Sequence, residues 1–338
     1  MVINNCPGLL RKGFFGYSPL FLRRMFNGRK VSHILPYNAP ETDEEDQIKF
    51  MQNRKRISIS GVQEKYSLIL EKNNLRLTEE KEQGTFILKP KPHGLRKTAM
   101  VPANEHVTMQ IANQVYKINT AENGLVYFRN EEPAYLTRRF DVGYKGMKLA
   151  KEDFASLAGK TEENAGKNFK YDYSYEGIAK LIRKYVGAWK IEFEKFYNLI
   201  VFNFLFSNSD AHLKNFSLLE TPNGDFVLSP AYDLLDTRIH VEGDGFFALD
   251  DELFDEWHLS DYRINNEQHH PCKDDFIDFG KKIGINENRI SILLEPFLVK
   301  QTNVEDLVKK SFLDDDTRSE YLDHYNERLS MLNRSIYG

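Results

Sequence analysis

The stretch that most constrains this chain runs from Phe196 to Asp233. Its first part, Phe196-Tyr-Asn-Leu-Ile-Val-Phe-Asn-Phe-Leu-Phe206, is apolar apart from two asparagines. A membrane span needs about twenty apolar residues, so this shorter run reads as a buried core helix. It delivers the chain into a polar loop, Ser207-Asn-Ser-Asp-Ala-His-Leu-Lys-Asn-Phe216. Next, Phe216-Ser-Leu-Leu-Glu220 and Phe226-Val-Leu228 flank Thr-Pro-Asn-Gly-Asp, and Asn-Gly between apolar runs is the strongest short hairpin signal. A tight hairpin returns the chain beside its start. Asn215 before it and Asp233 after it, in Pro-Ala-Tyr-Asp, are therefore expected side by side, with Asp210 close by.

Those three oxygen-bearing side chains suit one chemistry. Asp210 and Asn215 have the D-x-x-x-x-N spacing found where a phosphoryl group is transferred. That spacing arises often by chance, and turn-forming Asp and Asn are its bland explanation. The hairpin leading to a third oxygen ligand makes the pattern rarer. Asn215 and Asp233 are candidates to hold Mg²⁺ against nucleotide phosphates, and Asp210 to accept the proton of an attacking hydroxyl. Lys214 is a candidate to steady the transferring group, while His212 reads as a structural hydrogen-bonder within the loop.

Upstream, strand signals dominate from Ile57 to Asp141. Tyr66-Ser-Leu-Ile-Leu, Lys72-Asn-Asn and Leu75-Arg-Leu form a hairpin pattern, followed by Thr85-Phe-Ile-Leu-Lys89. A helix-like segment Ala103–Tyr116 separates these from strands at Leu125–Phe128 and Ala134–Thr137. From about Lys151 helices take over, among them one capped by Ser174 and one from Trp189 to Phe206, with at least three more toward the C-terminus. This order predicts an α+β lobe followed by a helical part, as one two-lobed unit or two domains. Lys89, at a strand end, is placed to neutralise nucleotide phosphates or simply to snorkel there. Glu105 is its candidate ion-pair partner, with a solvated helix-start glutamate equally open. Ser58-Ile-Ser-Gly-Val-Gln-Glu-Lys65 has the position of a phosphate-covering loop, with a plain β-turn as the alternative.

These segments, with Asn104-Glu-His106, Arg138-Arg-Phe-Asp141, Lys151-Glu-Asp-Phe154 and Ala231-Tyr-Asp233, occur in an order that resembles the HipA family of serine/threonine kinase toxins. The resemblance implies a protein-kinase-like two-lobed fold, with a β-rich N-lobe at 55–143 and a helical C-lobe at 144–338. It implies ATP- and Mg²⁺-dependent phosphorylation of a serine on a protein, aminoacyl-tRNA synthetases being known family targets. By position it makes Asp210 the catalytic base, Asn215 and Asp233 the magnesium ligands, and Lys89 the ATP lysine. Ser60, Gly61, Val62, Gln63, Glu64 and Lys65 match the ATP-covering loop. Arg138, Arg139 and Phe140 match the adenine hinge, with Arg138 where longer members carry an acidic residue. His212, Asn215, Tyr232 and Asp233 match nucleotide neighbours. Ser58 aligns with the autophosphorylated serine, and Ser60 completes a Ser-Ile-Ser pattern.

Only about 55 residues precede that loop, which resembles the short HipT-like branch. A helix-turn-helix antitoxin and a separate small protein resembling the missing N-terminal subdomain are then the expected partners. Residues 1–54 comprise a basic, aromatic arm and an acidic linker, Glu41-Thr-Asp-Glu-Glu-Asp46. The aromatic positions of 14–26 read either as a helix packed on the main body or as a docking surface for such a partner.

With a net charge of −4, no overall basic field is available for nucleic acid, so DNA is expected to be reached only through a partner. Two cysteines are too few for a disulfide framework, and no secretory or membrane-spanning pattern is evident, so a cytoplasmic setting is expected. The rival readings are a small-molecule kinase, a non-catalytic module with the same fold, and a metal-dependent phosphohydrolase or nuclease using Asp210, His212 and Asp233.

Overall fold

The computed structural model describes residues 3–40, 64–143, 146–242, 245–255 and 270–335. Ser58, Ser60, Gly61, Val62 and Gln63 lie outside them.

After helix α1 (Pro19–Phe26) come strands β1 (Tyr66–Glu71), β2 (Asn74–Leu77) and β3 (Phe86–Pro90). Helix α2 (Val101–Gln114) and strands β4 (Asn123–Tyr127) and β5 (Pro133–Arg138) follow. The five strands form one antiparallel sheet in the order β2-β1-β3-β5-β4. Each expected strand is present to within a residue or two. The period of two decides what each face meets. Leu88, Val126, Ala134 and Leu136 pack with α1, whereas Leu125 and Tyr135 pack toward α2 and the helical lobe. Lys89 pairs with Tyr135 across β3 and β5, so it stands on the α2 side.

Residues 3–40 cover the other face. Backbone bonds from Leu125 N to Pro7 O, Tyr127 N to His33 O and Leu35 N to Tyr127 O tie this arm to β4, at 2.7–2.8 Å. The ring of Phe21 lies so close to Gly124 that a Cβ there would stand 2.6 Å from it. Tyr17, Phe21, Met25 and Phe26 are buried, each large apolar side chain contributing about 1.5–3 kcal/mol. Of the two readings of positions 14–26, the packed helix is the one that forms, and Phe15 is the one large apolar side chain of that stretch left exposed.

The second lobe holds β6 (Lys151–Asp153), short helices α3 (Phe154–Leu157) and α4 (Glu162–Ala165), then α5 (Tyr175–Tyr185) and α6 (Trp189–Leu205). Strands β7 (Ser217–Glu220) and β8 (Phe226–Leu228) join β6 in a sheet ordered β6-β7-β8. Helices α7 (Lys273–Ile283), α8 (Glu287–Leu298), α9 (Thr302–Lys310) and α10 (Asp315–Leu332) complete it. Ser174 caps α5, accepting from Gly177 N at 3.0 Å, as its residue type predicts. From Phe196 onward helix α6 is apolar almost all round because it is the core: Phe196, Tyr197, Phe202 and Phe204 are fully buried among α5, α7, α8 and α10.

Candidate active site

Between the lobes lies a cleft of about 700 Å³, within the size of a small-ligand site. Three pieces of local structure build it. Strand β3 carries Lys89 and α2 carries Glu105, and the two meet at 2.6 Å (Nζ to Oε1), only 3% and 2% exposed. The third piece is the hairpin. Gly224 adopts φ +82 at its tip, and Ser229 N bonds Ser217 O at 2.9 Å, so the returning chain runs beside its start. Tyr232 then donates its hydroxyl to Lys214 O at 2.9 Å. Asp233, in the left-handed region at φ +57, is brought under Lys89. A side chain rarely adopts that backbone, and such residues cluster at functional sites.

Asp233 Oδ1 is hydrogen-bonded by Lys89 Nζ and Oδ2 by Lys65 Nζ, the latter at 3.2 Å. Burial opposes its ionisation, yet Lys65 and Lys89 outweigh burial and hold this carboxyl far below the usual range. The same balance keeps Lys89 protonated: burial disfavours its charge, and Asp233 and Glu105 more than restore it. Glu105 is pushed upward, chiefly by burial, against the pull of Lys89.

The Asp210 loop is held by its own backbone. His212 N donates to Asp210 O at 2.8 Å, Asn215 N to His212 O at 2.9 Å, and Asn215 Nδ2 to Asp210 O at 2.8 Å. The last bond uses the Asn215 amide nitrogen and leaves its Oδ1, the atom that would ligate a cation, out of it. The Asp210 carboxylate is half exposed and accepts the Tyr171 hydroxyl at 2.8 Å on Oδ1. His212 Nε2 stands 3.8 Å from that oxygen. Burial lowers the His212 imidazole to about 4, so it is neutral at pH 7. Lys214 extends its ammonium over the Phe169 ring, 5.7 Å from the centroid.

The opposite wall is aromatic. Phe140 and Tyr232 pack with centroids 5.6 Å apart, and Lys151 Nζ lies over both rings at 5.8 and 5.2 Å. Burial depresses Lys151, against nearby Asp141 and Asp153. Arg139 grips Asp141 with two bonds of 3.0 and 2.6 Å.

Of the residues expected from sequence, Lys65, Lys89, Arg138, Arg139 and Phe140 line this cleft, as do Asp210, His212, Lys214, Asn215, Tyr232 and Asp233. Glu64 does not line it; its carboxylate accepts the Tyr66 hydroxyl. The Arg138 guanidinium donates to Arg24 O and to Asn27 Oδ1, both at 3.1 Å, and so is engaged by the end of α1. Lys151, Lys170 and Tyr171 also line the cleft, and sequence reasoning gave none of them a role. Lys151 sits in a segment already singled out, whereas Tyr171 is one tyrosine among several in 171–175 and carried no signal.

A β-rich lobe and a helical lobe meeting over such a cleft define a protein-kinase-like α+β fold. The chain belongs to the HipA-like C-terminal domain family, whose model matches residues 57–304. A Haemophilus influenzae protein named "Putative kinase" is 29% identical over 98% of both chains. The Shewanella oneidensis serine/threonine-protein kinase toxin HipA is 26% identical over 59% of this chain, which spans 48% of that protein's length. Among solved structures, Shewanella oneidensis HipA in complex with HipB and operator DNA superposes with a TM-score of 0.59 at 22% identity, covering 87% of this chain and 72% of that one. The Helicobacter pylori proinflammatory kinase CtkA gives a TM-score of 0.50 at 16% identity over 78% and 93%. At those identities the structures speak for the fold. Among the described residues no helix is long and apolar enough to cross a membrane.

Proposed function

We propose that this chain is an ATP- and Mg²⁺-dependent serine/threonine protein kinase, acting as the toxin of a toxin–antitoxin pair. The observation that carries the reading is the three-way contact of Lys89 with Glu105 and Asp233, beside the Asp210–Asn215 loop in one cleft. A strand lysine joined to a helix glutamate and to an aspartate after the catalytic-loop hairpin is the arrangement that phosphoryl transfer uses.

The donor chemistry fits the metal: Asn215 Oδ1 and the strongly ionised Asp233 are hard oxygen donors. Among the described residues no group of three or more His, Cys, Asp and Glu is arranged to hold a metal. A cation held by Asn215 and Asp233 would complete its shell with phosphate oxygens and water. When bound, Mg²⁺-ATP supplies the transferable phosphoryl group and a leaving ADP. Lys89 and Lys65 would balance phosphate charge, and Phe140 and Tyr232 would receive the base. Asp210 would take the proton of the serine hydroxyl as its oxygen attacks phosphorus, and Lys214 would face the transferred group. Ser58 and Ser60, which precede Lys65 in the sequence, are the proposed self-modification sites. The proposed partner is an antitoxin that in turn holds DNA, as in the assembly named for the Shewanella oneidensis structure. The proposed target is a translation-related protein such as an aminoacyl-tRNA synthetase, and the setting is cytoplasmic.

The test is intact-mass and phosphopeptide spectrometry of cells expressing the chain or its Asp210→Ala variant, with incubation of both pure proteins with γ-labelled ATP and Mg²⁺. Label on serine in the wild type and none in the variant is expected. Equal labelling removes Asp210 from its role.

A further inference from the structure

We propose that Tyr171 is a positioning residue that fixes the Asp210 carboxylate and reserves its Oδ2 for the acceptor proton. The proposal rests on the reading of Asp210 as the base. Tyr171 donates its hydroxyl to Oδ1 at 2.8 Å, and the nearest imidazole nitrogen, His212 Nε2, faces the same oxygen at 3.8 Å. Oδ2 has no protein partner among the described residues. A half-exposed carboxylate needs no such partner for stability, because water solvates it equally well. What the tyrosine changes is geometry: it removes rotational freedom from a group that must meet its proton at hydrogen-bond distance.

The tyrosine is itself held from every side. Its ring packs edge-on against His212 at 5.3 Å, with Lys170 Nζ over its face at 4.8 Å. Its carbonyl accepts Asp250 N at 2.9 Å, and its amide bonds Asn168 O at 2.8 Å. The same segment reaches the Asp210 loop twice more: Lys170 O accepts Leu213 N at 3.1 Å, and Tyr175 donates to Ala211 O at 3.0 Å. One segment, 168–175, therefore braces the loop's backbone at two points and its reactive side chain at a third. Burial, then the neighbouring Asp210, push the Tyr171 phenol upward, so the hydroxyl keeps the proton it donates.

The test compares Tyr171→Phe, Tyr171→Leu, Asp210→Asn and the double variant Tyr171→Phe/Asp210→Asn in the full chain. ADP release and self-labelling are followed with Mg²⁺-ATP. Tyr171→Phe is expected to lower kcat about tenfold and leave the KM for ATP within about twofold, because only orientation of the base is lost. Added to Asp210→Asn it is expected to change the residual rate by less than about twofold, the two groups acting as a unit. Normal kcat in Tyr171→Phe with a loss in Tyr171→Leu would assign the residue to ring packing and overturn the proposal. So would a raised KM for ATP with kcat intact. Wild-type turnover in Asp210→Asn sinks the base assignment itself, whereas an inactive Asp210→Asn beside a fully active Tyr171→Phe sinks the Tyr171 proposal alone.

Discussion

Lys89→Met should be costly to the fold, and for a reason separable from catalysis. The lysine and Glu105 are 3% and 2% exposed and 2.6 Å apart. Removing one partner of a buried ion pair leaves a charge without compensation and typically costs about 3–5 kcal/mol, whereas replacing both with apolar groups is often near neutral. Asp233 keeps Lys65 at 3.2 Å, so the deficit falls mainly on Glu105. Glu105 already lies above its ordinary value of 4.5, chiefly through burial, and without Lys89 it must rise further. A carboxyl with a raised folded-state value stabilises the fold below its unfolded value and ceases to do so as pH rises through the folded one. The Lys89→Met deficit should therefore be small near pH 4 and widen upward from about pH 4.5. Urea unfolding at pH 4, 5, 6 and 7 with constant m-value is the assay. Lys89→Met/Glu105→Leu should regain more than half of the loss at pH 7. A Lys89→Met protein within about 1 kcal/mol of wild type at pH 7, or a double variant no better than the single, would refute this reasoning.

Asp233→Asn should abolish Mg²⁺-dependent phosphotransfer while near-ultraviolet circular dichroism stays native; an active variant would release Asp233 from the metal. Since Asp233 sits far below 3.8 in the fold, its stabilisation is present above that pH and lost on acidification beneath it. His106 and His212 are both lowered to about 4 by burial, so between 6.5 and 4 the unfolded chain binds protons that the fold does not. Stability should fall as pH drops through that window, and His106→Gln should flatten the slope; an unchanged slope would count against it. Arg138→Ala should leave the KM for ATP within about twofold while costing about 1 kcal/mol through its lost bonds to Arg24 and Asn27. A large rise in KM would restore Arg138 to the nucleotide.

What was legible in the sequence was whatever local chemistry dictates. The Asn223-Gly224 turn announced the hairpin, the Asn73 turn announced β1 and β2, and Ser174 announced α5. The hairpin then carried tertiary information, since a tight reversal leaves little choice about which residues become neighbours. The contacts spanning the lobes were not legible. Lys89 and Asp233 are separated by 144 positions, and no periodicity links them. The arm's fate was likewise undecided by pattern: amphipathic spacing in 14–26 suits a partner's surface as well as the chain's own sheet. Gly124, which admits Phe21, is the residue that settles it, and glycine in a strand announces a close approach without saying of what. Arg138 shows another limit of pattern: it lines the cleft, yet its guanidinium is engaged by the end of α1, a contact no local signal announced.

The cleft's charge explains how a chain of net charge −4 can take a polyanion. Seven Lys and Arg residues line it against five Asp and Glu residues. Several cancel locally: Arg139 with Asp141, and Lys65 and Lys89 with Asp233 and Glu105. Lys151, Lys170 and Lys214 have no carboxylate within 4 Å among the described residues, and each lies over an aromatic ring instead. None of the three is locally cancelled by an acidic partner among the described residues, so their ammonium groups are placed to meet a ligand in the cleft. The field in a low-dielectric cleft is set by these nearby charges, because more distant charges are screened beyond about 8–10 Å. A cleft of this kind attracts phosphate at its centre although the chain as a whole carries a net charge of −4.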